Sequence, residues 1–241
     1  MKRILLGMLT PSSNTILEPL TSAMVADLPD VTAHFGRFRV TEISLKGTAL
    51  GQFDEAPILE AARLLADAHV DVICWNGTSS GWLGFDADER LCASITSATG
   101  IPACTSVLAL NEVLERTGAR DFALVTPYLD DVQAAILANY RKSGFNCVAE
   151  RHLRKSVNFS FSEIGTDQVA DMVREVAQAR PRAISTFCTN MNAARAVAGL
   201  ETELGIPIYD TVSLAVWKSL KVAGVDPRAV KGWGRLFAEL A

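Results

Sequence analysis

The ten residues DVICWNGTSS, Asp71 to Ser80, open on an apolar run fit for a buried strand and break into a turn of small polar residues. The same shape returns 111 positions later as RAISTFCTNM, Arg182 to Met191, with Gly77 aligned to Cys188. Two further pairs flank it in the same order. ILLGMLTPSSNT matches RDFALVTPYLDD at an offset of 116, placing Thr10-Pro11 on Thr126-Pro127, and TGIPACTSVLALNEVLE matches LGIPIYDTVSLAVWKSLK at an offset of 105, placing Gly100 on Gly205. Ordered matches whose offsets drift by a few residues are what a doubled unit with loop deletions produces.

Between the matched turns, strand-like runs (KRILLGML, VDVICWN, DFALVT, FNCVAE, PRAISTFC) alternate with helical patterns. DEAPILEAARLLADAH, DDVQAAILANYRKSG, TDQVADMVREVAQA and TVSLAVWKSLKVAG place apolar residues three and four apart behind an Asp or Thr cap. Nearly continuous apolar strands are those of a parallel sheet covered on both faces. The expectation is an α/β protein of two pseudo-symmetric parallel-sheet domains, 1–117 plus 211–241 and 118–210, with the active site in the cleft between them. Ligands of open α/β sheets bind beyond the carboxyl ends of the strands. All four singular turns, TPSSNT, NGTSS, TPYLDD and FCTNMN, fall at such ends, each ahead of a helical segment whose free N–H groups favour an anion.

Composition narrows the class. The chain has 241 residues, 49% hydrophobic and 21% charged, enough to bury a sizeable core. A net charge of −4, with no run of Lys or Arg longer than two, argues against nucleic acid and acidic membrane surfaces. No apolar run approaches the roughly 20 residues of a bilayer span, and the N-terminus lacks a cleavable leader pattern, so a cytoplasmic protein is expected. The five cysteines, Cys74, Cys92, Cys104, Cys147 and Cys188, have neither disulfide-framework nor metal-ligand spacing. No metal site is expected.

With these turns in place the sequence resembles the aspartate/glutamate racemase superfamily, in the branch that holds arylmalonate decarboxylase and maleate cis-trans isomerase. The resemblance rests on PSSNTILE (Pro11 to Glu18), NGTSS (Asn76 to Ser80), TPYLDDV (Thr126 to Val132), FCTNM (Phe187 to Met191) and GWGRLF (Gly232 to Phe237). It implies a small dicarboxylate as the partner and no metal or organic cofactor, and leaves a homo-oligomer open. Racemases and isomerases of this kind carry one cysteine per half, whereas the decarboxylase keeps the second alone. Here Gly77 stands where the first would be and Cys188 is the retained thiol, while PSSNT is closer to the isomerases and racemases. The resemblance thus implies Cys188 as catalytic group, Gly77 as the place of the missing thiol, and Ser12, Asn14, Thr78, Ser79, Tyr128 and Thr189 as substrate contacts. Trp75, Trp82, Leu83 and Phe187 are candidates for an apolar pocket around a leaving carboxylate.

Two-base chemistry needs a group on each face of the reacting carbon, and Gly77 supplies none. Cys74 lies three strand residues earlier, about 10 Å down the sheet. One-sided chemistry remains: loss of a carboxylate followed by protonation from Cys188, whose thiol a following helix N-terminus would acidify. The expected reaction is decarboxylation of a substituted malonate, with maleate isomerisation and racemisation as alternatives, and a small-anion binding protein as the non-enzymatic one. Each residue has a plainer role too. Cys188 could be a small buried hydrophobe, Tyr128 a packing residue, and Ser12, Ser13 and Asn14 a helix cap. GTSSG also satisfies the nucleophile elbow of α/β-hydrolases, but the last histidine is His152, and that fold requires a late one.

Overall fold

The computed structural model describes residues 3–46 and 51–241. Its first half runs β1 (Ile4–Pro11), α1 (Leu17–Val25), β2 (Val31–Phe38), α2 (Glu55–Asp67), β3 (Val72–Trp75), α3 (Ser80–Leu83), α4 (Phe85–Thr99), β4 (Ala103–Thr105) and α5 (Ser106–Arg116). The second runs β5 (Asp121–Thr126), α6 (Asp130–Lys142), β6 (Asn146–His152), α7 (Thr166–Ala177), β7 (Ala183–Thr186), α8 (Ala194–Leu204), β8 (Ile208–Asp210) and α9 (Thr211–Val222), with α10 (Arg235–Glu239) closing the chain.

The strands form two parallel four-stranded sheets, ordered β2-β1-β3-β4 and β6-β5-β7-β8. Their registers repeat as the sequence does. Leu6 faces Val72 and Ile73 faces Ala103 in one sheet; Phe122 faces Ala183 and Ile184 faces Ile208 in the other. These partners are related by the offsets 116, 111 and 105, so two α/β units of one topology are present. The central strands β3 and β7 are buried along their whole length, which is why they read as unbroken apolar runs.

Three features account for what sequence patterning missed or shifted. Strand β2, VTAHFGRF, is an edge strand with a half-exposed run through His34, Gly36 and Arg37, and carries no apolar period. The shared GIP motifs close α4 and α8: Gly100 and Gly205 adopt left-handed φ of 71° and 69°, a position that favours glycine, before the chain turns into β4 and β8. The cap of α9 is Asp210, one residue before the expected threonine, its carboxylate accepting from the N–H groups of Val212 and Ser213 at 2.9 and 3.1 Å.

Helices α5 and α9, which follow β4 and β8, pack on each other, and α9 also lies against α1, β3 and β4. On this packing we propose the division of the chain into 1–117 with 211–241, and 118–210. Among the described residues no helix is long and apolar enough to cross a membrane.

Candidate active site

The four singular turns meet. Pro11 at the end of β1, Gly77 and Thr78 after β3, Tyr128 after β5, and Cys188 and Thr189 after β7 line one small cavity between the sheets' carboxyl ends, with Val40, Ile43, Phe53, Trp75, Trp82 and Asn158 as the remaining wall. Its free volume is about 20 Å³, room for about one water. Aromatic rings enclose it: Phe53, Trp82, Tyr128 and Phe161 form a chain of edge contacts with centroids 5.4 to 5.7 Å apart.

Cys188 sits just past β7 and is 2% exposed. Burial pushes its thiol up to about 12; the neighbouring Tyr128 hydroxyl and the N–H groups of Asn190 and Met191 pull the other way, and the Asp210 carboxylate adds to the rise. The expectation of an acidified thiol is therefore overturned. Helix α8 starts six residues later, at Ala194, so the donors near sulfur belong to the turn itself, and desolvation outweighs them. Near neutral pH this cysteine carries its proton.

Tyr128 is buried at the cavity wall, and its hydroxyl lies 2.6 Å from Thr78 Oγ1. Burial, followed by the neighbouring Cys188, drives the phenol well above its ordinary value. Either hydroxyl can be the donor in that pair. The hydroxyl chain Thr78, Tyr128, Cys188 crosses from one half of the molecule to the other.

Gly77 faces the same cavity, its carbonyl held by Ser106 Oγ at 2.7 Å. It is not among the positive-φ glycines, so backbone conformation does not require it. Space does. A Cβ built on Gly77 would stand 1.9 Å from Cζ2 of Trp75, whose indole lies over the glycine.

The remaining expected contacts divide. Asn14 is fully buried and wholly committed to the protein: Nδ2 donates to the carbonyl and hydroxyl of Thr189 at 3.1 and 3.2 Å, and Oδ1 accepts from the N–H groups of Ile16 and Leu17 at the start of α1. The Thr189 hydroxyl in turn donates to the carbonyl of Asn76. Ser12 accepts from the N–H of Val40. Ser79 lies outside this cavity and lines a neighbouring one of about 280 Å³ with Phe53, Leu83 and Asp88. Of the apolar candidates, Trp75 and Trp82 line the site, Leu83 is exposed beside the neighbouring cavity, and Phe187 packs into the core against Tyr140.

Beyond Asn14, sequence reasoning passed over the two asparagines that stitch this seam, Asn158 and Asn190. Asn190 Oδ1 accepts from Thr15 N at 3.0 Å and its Nδ2 donates to the carbonyl of Asn158, whose own Nδ2 donates to Ser13 Oγ at 2.8 Å. The asparagines of PSSNT and FCTNMN were the available signal for Asn190; Asn158 lies in neither stretch. Asn14→Ala removes both the seam bonds and the α1 cap, and is expected to lower stability by about 2–4 kcal/mol in urea unfolding. Asn14→Asp keeps the cap and should recover part of that; equal losses for the two would place no weight on the cap.

Among the described residues no cluster of three or more His, Cys, Asp or Glu side chains could hold a metal. Residues 14–237 match the family model described as arylmalonate decarboxylase. The chain belongs to the arylmalonate decarboxylase family. Within that family, it is 25% identical over 237 residues to arylmalonate decarboxylase of Bordetella bronchiseptica, covering 97% of this chain and 96% of the relative. It is also 27% identical over 244 residues to maleate isomerase of Nocardia farcinica, covering 97% and 95%. The family fold is matched by the solved structure of a cysteine-to-serine mutant of the Nocardia farcinica maleate cis-trans isomerase with a covalently bound succinylcysteine intermediate, at a TM-score of 0.90 and 24% identity over 99% of both chains. Decarboxylase and isomerase relatives thus both stand within reach of this member of the arylmalonate decarboxylase family.

Proposed function

We propose that this protein decarboxylates a substituted malonate, with Cys188 as the single proton donor. The observation that carries the reading is the asymmetry of the cavity: a buried, protonated thiol on one side and a glycine without room for a side chain on the other. In this reading the bond between the α-carbon and the leaving carboxylate breaks within the apolar wall of Trp82, Val40 and Ile43, where a charged carboxylate is poorly solvated. Carbon dioxide departs, and the electron pair spreads into the retained carboxylate as an enediolate. The Cys188 S–H proton then passes to the α-carbon. The thiolate left behind faces the Tyr128 hydroxyl and the two turn N–H groups, which bear its charge until water returns a proton.

The test is phenylmalonate in heavy water. Carbon dioxide and phenylacetate carrying one solvent deuterium are the expected products; conversion of maleate to fumarate with malonates left untouched would overturn the assignment. That second reading has its own support, because maleate isomerases recur among the relatives. The Nocardia farcinica isomerase holds a succinylcysteine with one cysteine already replaced by serine, whereas this cavity offers one thiol.

Tyr128→Phe keeps the ring and removes the hydroxyl that supports both Thr78 and the developing thiolate. We expect turnover to fall by about a hundredfold, the usual cost of one preorganised donor, with near-UV circular dichroism unchanged. Unaltered turnover would reduce Tyr128 to packing.

A further inference from the structure

Trp75 ends β3 two residues before Gly77 and lies on the same side of the chain, as alternate strand residues do. Its indole occupies the ground in front of the glycine: besides Cζ2, atom Cε2 would stand 2.3 Å from a Cβ built there. The ring is 1% exposed, rests on Phe38 with centroids 5.0 Å apart, and shares the cavity wall with Cys188. Its Nε1–H is buried with no hydrogen-bond partner among the described residues. The ring edge nearest Gly77 is Cε2–Cζ2–Cη2, and Nε1 is bonded to Cε2, so the orphan donor lies next to that edge. Buried donors are rarely left unmet in a finished structure, and a donor at the wall of a ligand cavity is met by the ligand.

Resting on the decarboxylase reading for its substrate class, we infer that Trp75 is a substrate-binding and specificity-determining residue: its indole N–H donates to the carboxylate that the product keeps, and its ring excludes any second acid–base side chain opposite Cys188. An indole nitrogen is a donor only. It can hold a carboxylate, but it can neither take a proton from the α-carbon nor return one. The side facing Cys188 is thereby given to binding, and α-proton exchange is shut out by a side chain two residues from the glycine rather than by the glycine alone.

Two variants test the two parts. Trp75→Phe keeps an aromatic ring and loses the N–H, so KM for phenylmalonate and Kd for phenylacetate should both rise about tenfold or more, the weight of a hydrogen bond to a charged group. Phenylacetate bound as tightly by Trp75→Phe as by the parent, or not bound by the parent at all, would overturn the carboxylate contact. For the ring, solvent deuterium exchange at the α-carbon of 2-phenylpropionate is compared between Gly77→Cys and the double variant Trp75→Leu/Gly77→Cys, after circular dichroism of each. Exchange in the double variant alone is the expected result, and a single variant that fails to fold while the double one folds supports the same steric claim. Equal exchange by both would show that the indole does not hold that space. Should the parent release no carbon dioxide from malonates, the reaction assignment fails on that observation, while the phenylacetate comparison still decides Trp75.

Discussion

Cys188→Ala is expected to lower decarboxylation at least a hundredfold while leaving the fold intact. General acids typically contribute about 10² to 10⁴ in rate, and among the described residues no other titratable side chain lines the cavity except Tyr128, which is hydrogen-bonded with Thr78 and driven above its ordinary range. Cys188→Ser should fall nearly as far, because a hydroxyl gives up its proton less readily than a thiol. The raised thiol adds a second expectation: with its proton held up to about 12, activity should not decline through the range where an ordinary cysteine ionises, about pH 8 to 9. Changes at Cys74, Cys92, Cys104 or Cys147 serve as controls. Cys74 and Cys104 face each other as register partners in the first sheet, Cys92 is on α4 and Cys147 on β6. A comparable loss at any of these four, or near-normal turnover by Cys188→Ala, would move the proton donor elsewhere.

Stability is expected to fall as pH rises from about 4.5 to 7. Asp88 and Asp210 are 2% and 0% exposed, and burial lifts each carboxyl to about 6, for Asp210 despite the hydrogen bonds it accepts from Val212, Ser213 and Thr186. In the unfolded chain they ionise near 3.9. Between those values the folded protein holds protons that the unfolded chain has released, so raising the pH favours unfolding; the stabilisation is complete below about 4 and gone above about 6. The magnitude is on the order of 3 kcal/mol for each group. Of the carboxylates held below their ordinary value, Asp86, Asp130, Asp226 and Glu203 are exposed and contribute little, and the half-buried Glu112, paired with Lys218 and Lys221, acts in the opposite sense at lower pH. Urea midpoints at pH 4.5 and 7 measure the difference, and Asp88→Asn should shrink it by roughly half. A midpoint that climbs toward pH 7, or a difference indifferent to Asp88→Asn and Asp210→Asn, would contradict the buried titrations.

The doubled fold was legible because parallel strands covered on both faces leave long apolar runs, and because Gly100 and Gly205 mark the same helix end twice. Strand β2 was not, since an edge strand alternates exposure and polarity without a clear period. In the site, the turns that carry Gly77, Tyr128 and Cys188 could be placed at strand ends from pattern alone. The rest depends on where side chains turn. Nothing in NGTSS says that Ser79 faces a different cavity from Thr78, and nothing in VICWNG says that the tryptophan lies over the glycine. The thiol's rise was hidden for a related reason: sequence shows which donors follow Cys188, but the dominant influence is how little water reaches it.

The asparagine seam bears on how a ligand gets in. Many two-lobed proteins admit small molecules by swinging open about a hinge, then clasp them. Here the lobes are pinned beside the cavity by Asn14 to Thr189, Thr15 to Asn190 and Asn158 to Ser13, and further out by Glu42 and Val157, which pair as an antiparallel bridge. Parting the lobes would break these contacts together, whereas displacing a ring from the aromatic wall breaks none of them. We therefore expect admission by swinging side chains rather than swinging lobes. Association should run below the diffusional limit, as it does when binding waits on a rearrangement, and small-angle scattering should find the same envelope with and without a carboxylate bound.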